Sequence, residues 1–111
     1  LIMGATFKEN VSDIRNSKVI DVYNELKSFS VEVDMVDPYA EPKEMEKVYG
    51  VSLIENPKND YDAVIVAVNH KDYLDLEEED FKKYFKDEKG VFVDVKGIYR
   101  NKIKNLEYWS L

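Results

Sequence analysis

The sequence predicts an α/β fold, with a mostly parallel sheet of about five strands and helices on both faces. Three observations carry this. The run Ala63-Val64-Ile65-Val66-Ala67-Val68 is continuously apolar and rich in β-branched residues, the pattern of a parallel strand buried on both faces. Strand-like runs alternate with helical stripes in the order β-α-β-α-(β)-β-α-β. No linker, repeat or low-complexity segment interrupts the 111 residues, a length that suits one domain with one core.

The elements follow in order. Leu1 to Gly4 is a short apolar strand. From Ser17 to about Ser28, Val19, Ile20, Tyr23 and Leu26 form the apolar stripe of a helix, with Ser17 as N-cap. Val31 to Val36 alternates apolar and polar residues and reads as a strand ended by Asp37-Pro38. Pro42 to Tyr49 is a helix with proline in its first turn, stopped by Gly50. Val51 to Ile54 has the composition of a short strand. After Ala63–Val68, the segment His70–Leu76 is a turn or short helix. Glu78 to Phe85 is a helix that places Phe81, Tyr84 and Phe85 on one side, ended by Lys89-Gly90. Val91 to Val95 is a strand, Tyr99 to Asn105 a last helical turn, and Leu106 to Leu111 a terminal strand in which Tyr108 and Trp109 pack. A chain that opens at Leu1, inside a strand, reads as a piece of a longer polypeptide.

Composition narrows the function. A net charge of −7 argues against nucleic acid as the main partner, because a phosphate backbone needs a basic face. It leaves room for one small phosphorylated ligand held by a few local cations, for which Lys8, Arg15, Lys18, Lys96 and Arg100 are available. The absence of cysteine removes disulfides, thiolate metal sites and a cysteine nucleophile from this chain, and fits a reducing compartment. No apolar run approaches the ~18 residues of a membrane span.

The chemistry concentrates in Gly4-Ala5-Thr6-Phe7-Lys8-Glu9-Asn10-Val11-Ser12-Asp13-Ile14-Arg15-Asn16-Ser17. This polar loop joins a buried strand to a helix, the corner where open α/β sheets hold ligands. It carries two cations, Lys8 and Arg15, and cations at such a corner suit an anion such as phosphate. The plain alternative is two solvated loop cations. Gly4 lacks the companions of a G-x-G-x-x-G fingerprint, and no Gly-Lys-Ser/Thr of a phosphate loop follows.

The same loop resembles the opening of the C-terminal domain of the UDP-glucose/GDP-mannose dehydrogenase family, a G-x-x-F-K-x-(N/D)-x-x-D-x-R-x-S run. Gly4, Phe7, Lys8, Asn10, Asp13, Arg15 and Ser17 all fall at its spacing. Val36-Asp37-Pro38-Tyr39 is similar to the family's second strand end, and Val93-Asp94-Val95-Lys96-Gly97 to its D-x-(R/K)-(N/G) loop. The resemblance implies a Rossmann-like three-layer α/β/α sandwich. It implies that residues 1–111 are the UDP-binding domain at the C-terminal end of a larger dehydrogenase. Phe7, Lys8 and Lys96 would then contact the UDP-sugar, and Arg15 would reach NAD held mainly by an N-terminal domain. Lysine at 96, where some relatives carry arginine, is a point charge in place of a bidentate fork.

The family oxidises the C6 alcohol of a nucleotide sugar to a carboxylate through two hydride transfers to NAD. Its cysteine nucleophile and catalytic lysine belong to a central region that this chain does not contain. The resemblance therefore implies a chain without catalytic residues of its own and inactive alone. It further implies a cytoplasmic, homodimeric parent enzyme with no membrane or nucleic-acid partner. The Phe-Lys-Glu-Asn loop, Val68-Asn69-His70 and Lys96-Gly97 resemble dehydrogenases of UDP-N-acetylhexosamines in polysaccharide biosynthesis more than UDP-glucose dehydrogenase. GlcNAc, GalNAc and ManNAc stay equivalent on this basis. The competing reading is a free-standing α/β ligand-binding or regulatory domain. A receiver of that kind needs clustered aspartates at its first strand end, where this chain has Gly4-Ala5-Thr6.

Four other features have plain structural readings. His70, the single histidine, is a helix-start or packing residue before it is an acid or base. Glu77-Glu78-Glu79-Asp80 is a solvated helix start and not a metal cluster, since contiguous helical side chains diverge. Asp13 is expected to order its own loop or pair with Arg15, and Asp94 to be structural.

Overall fold

A computed structural model describes all residues, 1–111. Five strands form one parallel sheet: β1 (Ile2–Met3), β2 (Met35–Val36), β3 (Ala63–Val66), β4 (Val91–Asp94) and β5 (Glu107–Ser110), in the order β2-β1-β3-β4-β5. Four helices accompany it: α1 (Val19–Ser28), α2 (Pro42–Tyr49), α3 (Lys71–Leu74) and α4 (Glu78–Lys82). The strand order reverses between β1 and β3, and doubly wound sheets bind ligands outside the carboxyl ends of the strands at such a switch point.

Period-2 alternation of side chains divides the core into two layers. Leu1, Met3, Val64, Val66 and Phe92 face one side, where Phe81 and Phe85 of the α4 region and Tyr73 of α3 cover them together with Tyr99. The rings of Phe81, Phe92 and Tyr99 meet edge to face at centroid distances of 4.7–5.6 Å. Ile2 and Met35 face the other side, against Val19 and Ile20 of α1 and Met45 of α2. The result is the expected three-layer, Rossmann-like α/β/α arrangement. No helix is long and apolar enough to cross a membrane.

Several local expectations are revised. Ser17 does not cap α1: Lys18 precedes the helix without a side-chain cap. The Ser17 hydroxyl donates instead to the Ala5 carbonyl at 2.8 Å, a buried acceptor that needs a partner. Val51–Ile54 is not a strand. One ladder-like bond remains, Ile54 N to Met35 O at 2.9 Å, and burial of Val51 beside α2 accounts for the apolar run. Helix α4 stops at Lys82, three residues before the expected Phe85, and passes through turns into a short 3₁₀ segment at Lys86–Glu88. Tyr99–Asn105 forms turns without a helix, and the Lys104 and Asn105 N–H groups, which a helix would bond to Arg100 and Asn101, go to Glu78. Asp94 accepts from Ile98 and Tyr99 at 3.1 and 2.8 Å. Glu78 accepts from Lys104, Asn105 and Leu106 at 2.9, 2.7 and 2.9 Å. Glu78 is thus buried, unlike the solvated helix start expected, while Asp80 does accept the Glu77 N–H at 2.8 Å. Tyr108 stacks on Phe92, but Trp109 is 60% exposed and does not pack.

Gly4 sets the spacing between β1 and the end of β3. Its φ is +104°, and an added Cβ would lie 2.7 Å from Val68 Cβ and 2.9 Å from Val68 N. Gly4→Ala is expected to lose on the order of 2–4 kcal/mol, from backbone strain plus overpacking. Urea unfolding of the variant measures it; a loss below about 0.5 kcal/mol would show that this corner can relax.

Candidate functional site

The carboxyl ends of β1, β3 and β4 carry three connected loops. The first, residues 6–13, is pinned at both base and tip. Phe7 N donates to Asp13 O at 2.7 Å and closes the base. The Thr6 hydroxyl donates to Lys8 O at 2.8 Å. At the tip, Asn10 N donates to His70 Nδ1 at 2.9 Å, and Lys71 N donates to Asn10 Oδ1 at 2.6 Å. Asn10 and Asn16 hold φ of 60° and 58°, a region asparagine tolerates better than most residues. Ile14, fully buried, fixes the loop's return, and its carbonyl accepts the Tyr49 hydroxyl from α2.

Fixed in this way, the loop backbone leaves Phe7 and Lys8 outside. Phe7 is 56% exposed, and Lys8 is exposed and takes part in no ion pair. Arg15, at the far end of the loop, is engaged. Its Nε and Nη2 donate to the two Asp13 oxygens at 3.1 and 3.2 Å, and its N–H to Oδ1 at 2.9 Å. These bonds hold the Asp13 carboxyl below the usual carboxylate range. The expected Asp13–Arg15 pairing is therefore present. The Arg15 side chain remains 81% exposed, and Nη1 makes no bond.

Lys96 lies in the turn after β4. Gly97, at φ 70°, donates to Asp94 O at 3.3 Å, and Val95 N donates to Val66 O at 3.1 Å. Asp94 is fully buried. Besides Ile98 and Tyr99 it accepts the Tyr108 hydroxyl at 2.6 Å, so it is the structural residue expected. Lys96 itself is exposed and unpaired. Lys8 and Lys96 thus stand at the same edge of the sheet, after β1 and β4, with β3 between them.

Below this edge lies a buried polar cluster that the sequence reading did not assemble: Thr6, Asp37 and His70. Asp37 Oδ2 accepts from Ala5 N at 2.6 Å and His70 Nε2 at 2.8 Å, and Oδ1 from Tyr39 N and Ala40 N at 2.7 and 2.9 Å. Burial pushes the Asp37 carboxyl up, but the His70 and backbone bonds outweigh it and hold it below its ordinary value. The signals were present separately, in the Asp37-Pro38 strand end and in a lone histidine two residues beyond Val68. Nothing in the sequence joined positions 33 residues apart.

Comparison with known proteins decides the family. Residues 1–101 match the family model of the UDP-glucose/GDP-mannose dehydrogenase family, UDP binding domain. The chain belongs to this family. A UDP-N-acetyl-D-glucosamine 6-dehydrogenase of Salmonella typhi is 43% identical over 99 residues, covering 88% of this chain and 23% of the relative. Protein CapL of Staphylococcus aureus is 38% identical over 113 residues, covering 99% of this chain and 26% of the relative. The chain therefore spans about a quarter of the length of these curated relatives. Among solved structures, the UDP-N-acetyl-mannosamine dehydrogenase Cap5O of S. aureus superposes with a TM-score of 0.74 at 23% identity, over 98% of this chain and 25% of that one. A UDP-D-ManNAc dehydrogenase from Pyrococcus horikoshii gives a TM-score of 0.77 at 18% identity, over 98% of this chain and 24% of that one. These superpositions establish the fold.

Asp37→Ala would strand four donors, His70 among them, and is expected to cost roughly 3–5 kcal/mol at neutral pH. The sign of the pH effect follows from the depressed folded-state value. The Asp37 contribution is complete above the unfolded carboxylate value, about 3.9, and is lost as pH falls through the lower folded one. The stability gap between wild type and variant should therefore narrow below about pH 4. Chemical unfolding at neutral and acid pH measures it, and a gap independent of pH would count against the assigned charge state.

Proposed function

We propose that this chain is the UDP-sugar-binding domain of an NAD-dependent nucleotide-sugar 6-dehydrogenase, which oxidises the C6 alcohol of a UDP-N-acetylhexosamine to a uronic acid for polysaccharide biosynthesis. One observation carries the reading: two exposed, unpaired lysines, Lys8 after β1 and Lys96 after β4, flank the end of β3 beside the switch point of a sheet whose chain matches a UDP-binding family. Each ammonium supplies a charge for a diphosphate oxygen. The exposed Phe7 ring beside Lys8 offers an apolar face to the rest of the nucleotide.

NAD supplies the hydride acceptor. This chain has no dinucleotide fingerprint, so its contribution would be one contact, from Arg15. That guanidinium suits the task, since Asp13 orients it while Nη1 stays free and exposed. The domain would act by position: binding energy gained at the nucleotide holds the sugar carbon against groups on the remaining domains of a cytoplasmic, homodimeric parent. Without a cysteine or that fingerprint, the chain by itself should form no NADH from a UDP-sugar.

UDP titrated into the isotope-labelled chain should shift the amides of residues 6–10 and 95–99. Lys8→Ala and Lys96→Ala should each weaken binding roughly tenfold. Shifts confined to other surfaces would defeat the assignment.

In the parent enzyme the two ends of the first loop should separate by ligand. Lys8→Ala should lower kcat/KM for the UDP-sugar roughly tenfold to a hundredfold and leave the NAD dependence nearly intact, and Arg15→Ala should do the reverse. Steady-state kinetics with each ligand varied in turn tests this, and one common pattern for both variants would make the pair structural.

A further inference from the structure

His70 is completely buried, and both of its ring nitrogens are engaged. Asn10 N–H can only donate, so Nδ1, at 2.9 Å from it, is a bare acceptor. The ring hydrogen then resides on Nε2, which donates to Asp37 Oδ2 at 2.8 Å with Thr6 Oγ1 at 3.3 Å. The Thr6 hydroxyl spends its own hydrogen on Lys8 O. The rings of Tyr39 and Tyr73, at centroid distances of 4.7 and 5.6 Å, hold the imidazole plane. This is not a nucleophile triad. Asp37 and Thr6 meet the same ring nitrogen, the other nitrogen is occupied, and no lone pair is left for a substrate proton.

From this geometry we infer that His70 is a positioning residue: in its neutral Nε2–H form it latches the residue 6–10 loop to the β3–α3 corner and so sets where Phe7 and Lys8 meet a nucleoside diphosphate. The ligand part of this inference rests on the function proposed above. The latch enters the loop at two backbone points on either side of Glu9. At the Lys8 carbonyl it acts through Thr6, and at the Asn10 amide it acts directly. Asn10 returns the contact, its Oδ1 taking the N–H of Lys71, the residue after His70. The loop thus joins residues some 60 positions further along the chain, and the exposed Lys8 side chain projects from a backbone bonded on both sides.

Two substitutions divide the histidine. In His70→Gln, the amide nitrogen can replace Nε2 toward Asp37, but the acceptor for Asn10 is lost. In His70→Asn, the amide oxygen can replace Nδ1 toward Asn10. Long-range ¹H–¹⁵N spectra of the unmodified chain should show Nε2 protonated and Nδ1 bare. In His70→Gln, hydrogen exchange at the Asn10 amide should rise roughly tenfold or more and UDP binding weaken roughly tenfold, with exchange at Val66 and Phe92 unchanged. His70→Asn should restore the Asn10 exchange protection toward wild type, and UDP binding only in part, because the Nε2 contacts to Asp37 and Thr6 stay lost. A protonated Nδ1, an Asn10 exchange rate unmoved by His70→Gln, or equal acceleration throughout the sheet would overturn the latch. If UDP bound none of these proteins, the tautomer and exchange measurements would still decide the latch, and the nucleotide reading alone would fall. If neither variant folded, the tautomer and the Asn10 exchange rate of the unmodified chain would decide.

Discussion

The buried carboxylate of Asp37 is the point on which the ligand edge depends. It sits just beyond β2 and gathers donors from the end of β1 through Ala5, from its own turn through Tyr39 and Ala40, and from the end of β3 through His70. Three strand ends are thereby tied to one anion. Hydrogen bonds to a charged acceptor are stronger than neutral ones, and here they offset the penalty of taking a carboxylate out of water. Each partner that is lost leaves the carboxylate less compensated. An uncompensated carboxylate or an orphaned amide at that depth would loosen the loop that carries Phe7 and Lys8.

The same device recurs twice. Asp94 organises the turn after β4, and Glu78 organises the approach to β5, each chiefly by accepting backbone N–H groups. Among the buried carboxylates none is neutralised by a lysine or an arginine. On this chain of net charge −7, Lys8 and Lys96 take part in no ion pair. The buried carboxylates are committed inward, to amides, and the remaining acidic residues lie largely on the solvated surface. A local cationic edge can thus exist on an acidic domain.

Much of the architecture was legible because it follows from local pattern. The β-branched run at Ala63, proline at the start of α2 and glycine after it, and the alternation of runs all translate directly into observed elements. Three of the readings that failed share a cause, hydrogen bonding between side chains and groups distant in sequence. Ser17 looks like a cap until the Ala5 carbonyl claims it. Tyr99–Asn105 has helical composition until Glu78 draws the Lys104 and Asn105 amides away. His70 could be placed at the correct strand end, but its partners Asp37 and Asn10 lie 33 and 60 residues off. Exposed Trp109 shows the complementary limit, since an aromatic in a strand pattern does not disclose whether anything covers its face.

The place of β1 in the sheet also bears on how the chain assembles. It is the earliest segment in sequence, yet it lies inside the sheet and bonds to both neighbours, with Ile2 N reaching Asp34 O on one side and Ile65 N reaching Leu1 O on the other. Neither neighbour is local. Nucleation cannot start from a hairpin, because every pairing is parallel and requires a crossover to be closed first. β1 can pair with β2 once Met35 and Val36 are in place, but its second ladder, to β3, must wait for Ile65 and Val66. Folding of this domain should consequently be governed by loop-closure entropy more than by helix formation, because both neighbours of β1 are reached only across a crossover.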